Sequence, residues 1–363
     1  MRKTVIPFVV VALGVPVVAA AQSEVSGDTR LRAKSVYVVQ QAPPQPPTPP
    51  RPARPARVER GQDGREEQRE TFTKTARLGS NGILDITNLV GNIEISRGSG
   101  NDATIEVTKV ARARTQEDAR ALLPLATVEV NSHGDRTEVR TNYADQEVMR
   151  RHRNVSLAVH FKITAPQGTR VTARSLSGNL RATDIRGEMS LITTSGNVEI
   201  SNAARVTAAK STSGNIELTN IDSDVALDAG TISGHVVVRS AKARRMVLGT
   251  VSGDVILQDV QTEQLGAQTL SGNVEFVGAF TKDGRYELKS HSGNVRVKVV
   301  GGSGFAVEAN SWSGNVQSDF SIGGSESDPT RGGRRKVLRG VVGDGSAKVN
   351  ITTFSGNVQL LKK

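Results

Sequence analysis

Apolar and polar residues alternate in short bursts along most of this chain, and the bursts share one frame. A bulky or apolar residue precedes Ser, Gly and a polar residue. An apolar, a variable and a second apolar position follow, as in Thr194-Ser-Gly-Asn-Val-Glu-Ile200, Leu270-Ser-Gly-Asn-Val-Glu-Phe276 and Phe354-Ser-Gly-Asn-Val-Gln-Leu360. The two apolar positions are two apart, the period of a strand with one buried face. The residue between them is mostly polar, as at Glu199, Glu217, Glu275, Arg296, Gln317 and Gln359. The glycine recurs at 178, 196, 214, 234, 253, 272, 293, 314 and 356, at intervals of 18, 18, 20, 19, 19, 21, 21 and 42, the last reading as two periods of 21. A second apolar run, such as Val206 to Ala208 or Val225 to Leu227, completes most periods.

A coil of about 19 residues holding two or three short strands cannot bury its apolar side alone. Stacking coil on coil solves this, because each strand then pairs with its equivalent above and below. The pattern predicts an all-β chain folded as a right-handed parallel β-solenoid (β-helix), right-handed winding being the default for parallel crossovers. The glycines should then stack in one file about 4.8 Å apart. Beside them, Asn179, Asn197, Asn215, Asn273, Asn294, Asn315 and Asn357 should form a structural ladder, with amides donating and accepting along the file. The competing reading is a polar row that binds a ligand or calcium. Carboxylates do not recur there: only Asp254 replaces the Asn, and His235 reads as a tolerated variant.

Residues 166–363 therefore form the repeat region. Residues 70–165 lack the tight period but alternate in several runs, and Leu89-Val-Gly-Asn-Ile-Glu-Ile95 repeats the later frame. One short helix is predicted over Thr115 to Leu123, with Thr115 as N-cap, Glu117 and Asp118 in its first turn, and Pro124 ending it. This part reads as the first coils of the same stack plus a helix-bearing N-terminal cap over the open sheet edge. Residues 22–69 read as a disordered Pro/Arg-rich linker. Eight prolines lie within 41–57, a density that forbids helix and sheet and favours polyproline II. Arg51, Arg54 and Arg57 make it either a basic spacer touching the envelope or a solvated tether. Residues 1–21 read as a signal peptide: Arg2 and Lys3, an apolar run from Val5 to Val18, then Ala19-Ala20-Ala21. That run is short of the about 20 residues a spanning helix needs. The expectation is an exported chain, periplasmic or at the cell surface, with no membrane span once mature.

The spaced Ser-Gly-Asn-Val copies, the stretch Leu84 to Ile95, and Ile163-Thr-Ala-Pro-Gln-Gly168 resemble a bacterial family of adhesin-type proteins with β-strand repeats, a domain largely of unknown function. The resemblance covers about residues 70–363. It implies an envelope or extracellular solenoid acting in adhesion, and it brings no catalytic residues. The long Pro/Arg linker and the stretch between the last two Ser-Gly-Asn copies depart from the family pattern.

Composition narrows the chemistry. The chain has no cysteine, which removes disulfides, zinc–thiolate sites and thiol catalysis. Aromatics are 3%, too few to line a sugar-stacking cleft or a nucleic-acid platform, so nucleic acid is not expected. No pair among His133, His152, His160, His235 and His291 has metal-ligand spacing. No cofactor, metal or catalytic residue is expected, and the chain reads as non-enzymatic. Asp222, Asp224 and Asp228 keep open an alternative, a polysaccharide-active enzyme of the pectin-lyase type. Net charge is +11. Arg331, Arg334, Arg335, Lys336 and Arg339 concentrate in a Gly-rich stretch, and Arg239, Lys242, Arg244 and Arg245 form a second group. Basic patches attract acidic polymers. The first group is the candidate site for a cell-envelope or extracellular acidic polymer such as peptidoglycan, lipopolysaccharide or polysaccharide. The expected role is a secreted, adhesin-like binding or structural module.

Overall fold

The computed structural model describes residues 65–144, 155–322, 325–327 and 336–363. The segment read as a signal peptide and most of the segment read as linker lie outside these residues. The first strand, β1 (Glu66–Arg77), begins four residues before the boundary at 70 read from the sequence. Its charged residues pair antiparallel with β4 (Asp102–Ala113), so polar composition marks a sheet edge rather than more linker.

The first coil of the stack is β2 (Ile83–Val90) and β3 (Ile93–Arg97), joined at Gly91. These pair in parallel with β8 (Arg170–Ser177) and β9 (Leu180–Thr183) of the Gly178 coil. Between the two coils the chain makes an excursion through β4, α1 (Gln116–Leu122), β5 (Ala126–His133), β6 (Arg136–Tyr143) and β7 (Ser156–Ala165). The pairs β1–β4, β4–β7 and β5–β6 are antiparallel. Its strands β6 and β7 lie parallel on β2 and β3, continuing the coil pairing at the stack's open end, and the antiparallel strands build onto them. The helix forms where its cap and acids lie: Thr115 Oγ1 accepts from the Asp118 N–H at 3.1 Å, and Ala119 and Leu122 are buried.

From Gly178 onward each coil pairs in parallel with the next. The serines before each glycine are in register from Ser177 through Ser195, Ser213, Ser233, Ser252, Ser271 and Ser292. After the corner, Val198, Ile216, Val236, Val255, Val274 and Val295 are in register on the following strand. All six are fully buried, as are their partners two residues on. The alternation thus builds one continuous core. Near its far end the core is thickened by Phe276, Phe280, Tyr286 and Phe305, whose rings meet at 4.7 to 5.8 Å. The buried Tyr286 hydroxyl donates to the Thr262 carbonyl at 2.9 Å.

The end of the stack departs from sequence order. Ala347–Ser355 pairs in parallel with Arg285–Ser292 on one side and with Phe305–Ser313 on the other. Val358–Lys362 lies likewise between Val295–Gly302 and Val316–Ser318. The Gly356 coil is therefore inserted between the Gly293 and Gly314 coils. This corrects the reading of the 42-residue interval as two successive periods. Among the described residues that interval holds no further coil. It holds the strand Lys336–Val342, antiparallel to Phe305–Ser313 and covering the free edge of the outermost coil.

Candidate functional site

The glycine file is continuous, and it fixes how closely coils approach. A Cβ on Gly214, where φ is +149°, would lie 2.1 Å from the Gly196 carbonyl oxygen. The same clash, at 1.9 to 2.2 Å, recurs from Gly178 through Gly356 to Gly314. Only a residue without a side chain fits at this spacing.

Beside it run Asn92, Asn179, Asn197, Asn215, His235, Asp254, Asn273, Asn294, Asn357 and Asn315, in that order. Each backbone N–H donates to the side chain one coil below: Asn197 to Asn179 Oδ1 at 2.8 Å, His235 to Asn215 Oδ1 at 2.9 Å, Asp254 to His235 Nδ1 at 3.0 Å. Asn273 donates to Asp254 Oδ1 at 2.7 Å, Asn357 to Asn294 Oδ1 and Asn315 to Asn357 Oδ1, both at 2.9 Å. The seven asparagines singled out from the sequence thus lie together. The bonding differs from the expected amide-to-amide ladder. The rungs are backbone-to-side-chain, and amide contacts add to them only at Asn273 and Asn294, at 3.2 and 3.3 Å. The position needs only an acceptor, which is why Asp254 and His235 fit. His160, on β7, fills it below Asn92 at 3.2 Å.

A second buried file went unread in the sequence although the signal was there, a Ser or Thr three residues before each glycine. Ser211, Thr231, Thr250, Thr269, Ser290, Thr353 and Ser311 donate to the glycine carbonyl of the coil below at 2.8 to 2.9 Å. A third file, exposed and six residues after the glycine, is Asp184, Asn202, Asn220, Ser240 and Asp259, with φ of 51° to 60°. Asn and Asp, four of the five, tolerate the left-handed region at this second corner.

Some cations of the outer faces are neutralised across coils. Arg181 pairs with Glu199 at 2.6 Å, Arg205 with Asp224 at 3.3 Å, Lys210 with Asp228 at 2.5 Å, and Arg239 with Glu217. Two of the three aspartates of the enzyme alternative are therefore held by cations. Of the five residues proposed for acidic-polymer binding, Arg331, Arg334 and Arg335 lie outside the described residues. Lys336 and Arg339 belong to the edge-covering strand, not to a projecting loop. Lys336 Nζ donates to Asn315 Oδ1 at 2.5 Å, capping the acceptor file, and Arg339 pairs with Glu308 at 2.7 Å.

The wall built from the strands that precede the glycines carries two adjoining grooves. One, about 690 Å³, is bordered by Arg245, Arg285, Lys289 and Lys348 with Glu287 and Glu308. Lys289 pairs with Glu287; Arg245, Arg285 and Lys348 form no ion pair with a described residue. The other, about 640 Å³, is mostly apolar and runs beside Val251, Leu270, His291, Phe354 and Trp312. Its rings are stacked, His291 on Phe354 at 5.0 Å and Trp312 on Phe354 at 6.0 Å. Among the described residues no cluster of three or more metal-ligating side chains occurs, and no helix is long and apolar enough to cross a membrane.

No curated protein matches the chain. Similar solved structures include a proposed cell adhesion protein from Clostridium sporogenes ATCC 15579, 11% identical, covering 82% of this chain and 100% of that one, TM-score 0.25. Another is a proposed lipid binding protein from Parabacteroides distasonis ATCC 8503, 13% identical, covering 79% and 96%, TM-score 0.42. A third is a proposed adhesin from Bacteroides fragilis NCTC 9343, 12% identical, covering 80% and 97%, TM-score 0.32. The sequence profile of one family spans residues 79–361, and on that match the chain belongs to the Toastrack DUF4097 family.

Proposed function

We propose that the chain is a secreted, non-enzymatic, adhesin-like binding module on a right-handed parallel β-solenoid, acting in the periplasm or at the cell surface on an acidic envelope polymer. Coil-to-coil parallel register supports the solenoid, and the handedness follows the general rule for parallel crossovers. The observation that carries the binding role is the basic groove. Several arginines and lysines elsewhere on the outer faces pair with acids across coils, as Arg181 with Glu199 and Arg205 with Asp224. Here Arg245, Arg285 and Lys348 collect on three coils around one depression. A repeating anion presents charges along a line, and a stacked wall presents cations along a line.

The test is titration of the chain, from residue 22 onward, with a polyuronate at low and at physiological salt. Saturable binding that weakens steeply with salt is expected, since exposed charges act over a Debye length of about 8 Å at physiological ionic strength. Arg285→Gln with Lys348→Gln should weaken it about tenfold, with the unfolding transition unchanged. Binding indifferent to both substitutions, or none at low salt, would remove the groove from the account.

A further inference from the structure

The second groove has a chemistry of its own. Over the far part of the stack, the position two before the glycine is exposed and mostly apolar: Ile232 is 53% exposed, Val251 43%, Leu270 53%, Phe354 47% and Trp312 36%. With His291 these residues occupy six consecutive coils, a stripe on the order of 24 Å long at about 4.8 Å per coil. The stripe is one side chain wide. An amphipathic helix buries an apolar face more than 100° wide, and this line of side chains is too narrow to receive one. The hydroxyls of Thr250, Thr269, Ser290 and Thr353 are already donated to glycine carbonyls, so they offer no proton to a ligand. A long, narrow slot with a mostly apolar lining and a lysine at its side suits a hydrocarbon chain that ends in an anion. The slot meets the basic groove at Gln268 and Lys289, which line both, and Arg285 and Lys348 lie just beyond on that side.

We infer that this slot binds a single acyl chain bearing an anionic headgroup, the chain lying along Leu270, Phe354 and Trp312 and the headgroup at Lys289. The site is separate from the polymer reading except at that junction.

Trp312 is the only tryptophan of the chain, so its fluorescence reports occupancy of the slot. The protein is titrated with a brominated sixteen-carbon fatty acid below its critical micelle concentration. Saturable quenching at one ligand per chain is expected, weakened at least tenfold by Leu270→Ser. Lys289→Gln should weaken the fatty acid several-fold and leave the corresponding uncharged monoacylglycerol unaffected. Equal quenching by a four-carbon brominated acid would reduce the site to an anion contact and overturn the inference. Quenching only by vesicles of anionic diacyl lipid would replace it with membrane docking, and no quenching would end it. Leu270→Ser should leave polyuronate binding intact, so the two readings fail separately.

Discussion

Each coil is tied to the next by a backbone N–H that finds an acceptor on the side chain below, and Asn, Asp and His all serve. The sequence showed where that acceptor lies but not how it bonds, because an amide can both donate and accept and the pattern of residues is the same either way. The substitutions were the clue: Asp254 and His235 can accept but have no amide to donate. His160 is the member that responds to pH. Burial chiefly, with Arg112 and Arg69 nearby, holds its pKa below the usual value, against the opposing pull of Glu67 and Glu94. It is neutral in the fold, so the unfolded chain takes up the proton first. Its contribution is present above about pH 6.5, the ordinary value, and is lost as the pH falls toward the lower folded value. Urea midpoints at pH 7.5 and 5.0 should therefore drop further for the parent chain than for His160→Asn, which keeps the acceptor and cannot titrate. The glycines separate in the same way. Gly214→Ala would press a methyl onto the Gly196 carbonyl and occupy a φ that L-residues avoid, for a loss of about 2–6 kcal/mol when strain and overpacking are combined. Gly266, with nothing within 4 Å of an added Cβ, should accept Ala with a gain of up to about 1 kcal/mol. Equal effects on the denaturation midpoint would show that the file tolerates side chains.

At the scale of strands and coils, what was legible was whatever repeats. The period fixed the strands, the corner and the buried positions, because a coil must present the same face at every level. The helix was legible for a local reason, its Thr115 cap and Pro124 stop. The antiparallel pairing in the excursion before Gly178 was not, since alternation is the same in parallel and antiparallel strands. Nor was the order of the last coils, because Gly314 and Gly356 carry equally good frames and nothing local says which stacks on Gly293. That order decides which rung of the ladder is terminal. Asn357 closes the chain's final frame, yet in space it has neighbours on both sides, accepting from Asn315 and donating to Asn294. Asn315 is the terminal rung among the described residues, its side chain meeting the exposed Lys336. Asn357→Ala should cost about 1 kcal/mol, close to Asn215→Ala, and Asn315→Ala clearly less, by the worth of a net hydrogen bond. Chemical denaturation of the three variants checks the ranking.

Over the whole stack, the surfaces proposed for binding were only partly legible. The sequence placed its candidate cations in a loop, whereas Lys336 and Arg339 lie on the edge strand. Three of that group lie outside the described residues, and the wall's own cations are scattered in sequence at 245, 285, 289 and 348, joined only by stacking. The apolar slot was visible as the bulky residue that opens each frame, and a single frame gives no hint that such residues line up. The inserted coil has one more consequence, in time rather than in space. As the chain leaves the ribosome, residues 305–318 emerge before residues 347–362, which must come to lie beneath them. The earlier segment cannot reach its final partners until the later one lies on the Gly293 coil. Maturation of this fold therefore has a last step that only a nearly full-length chain can take.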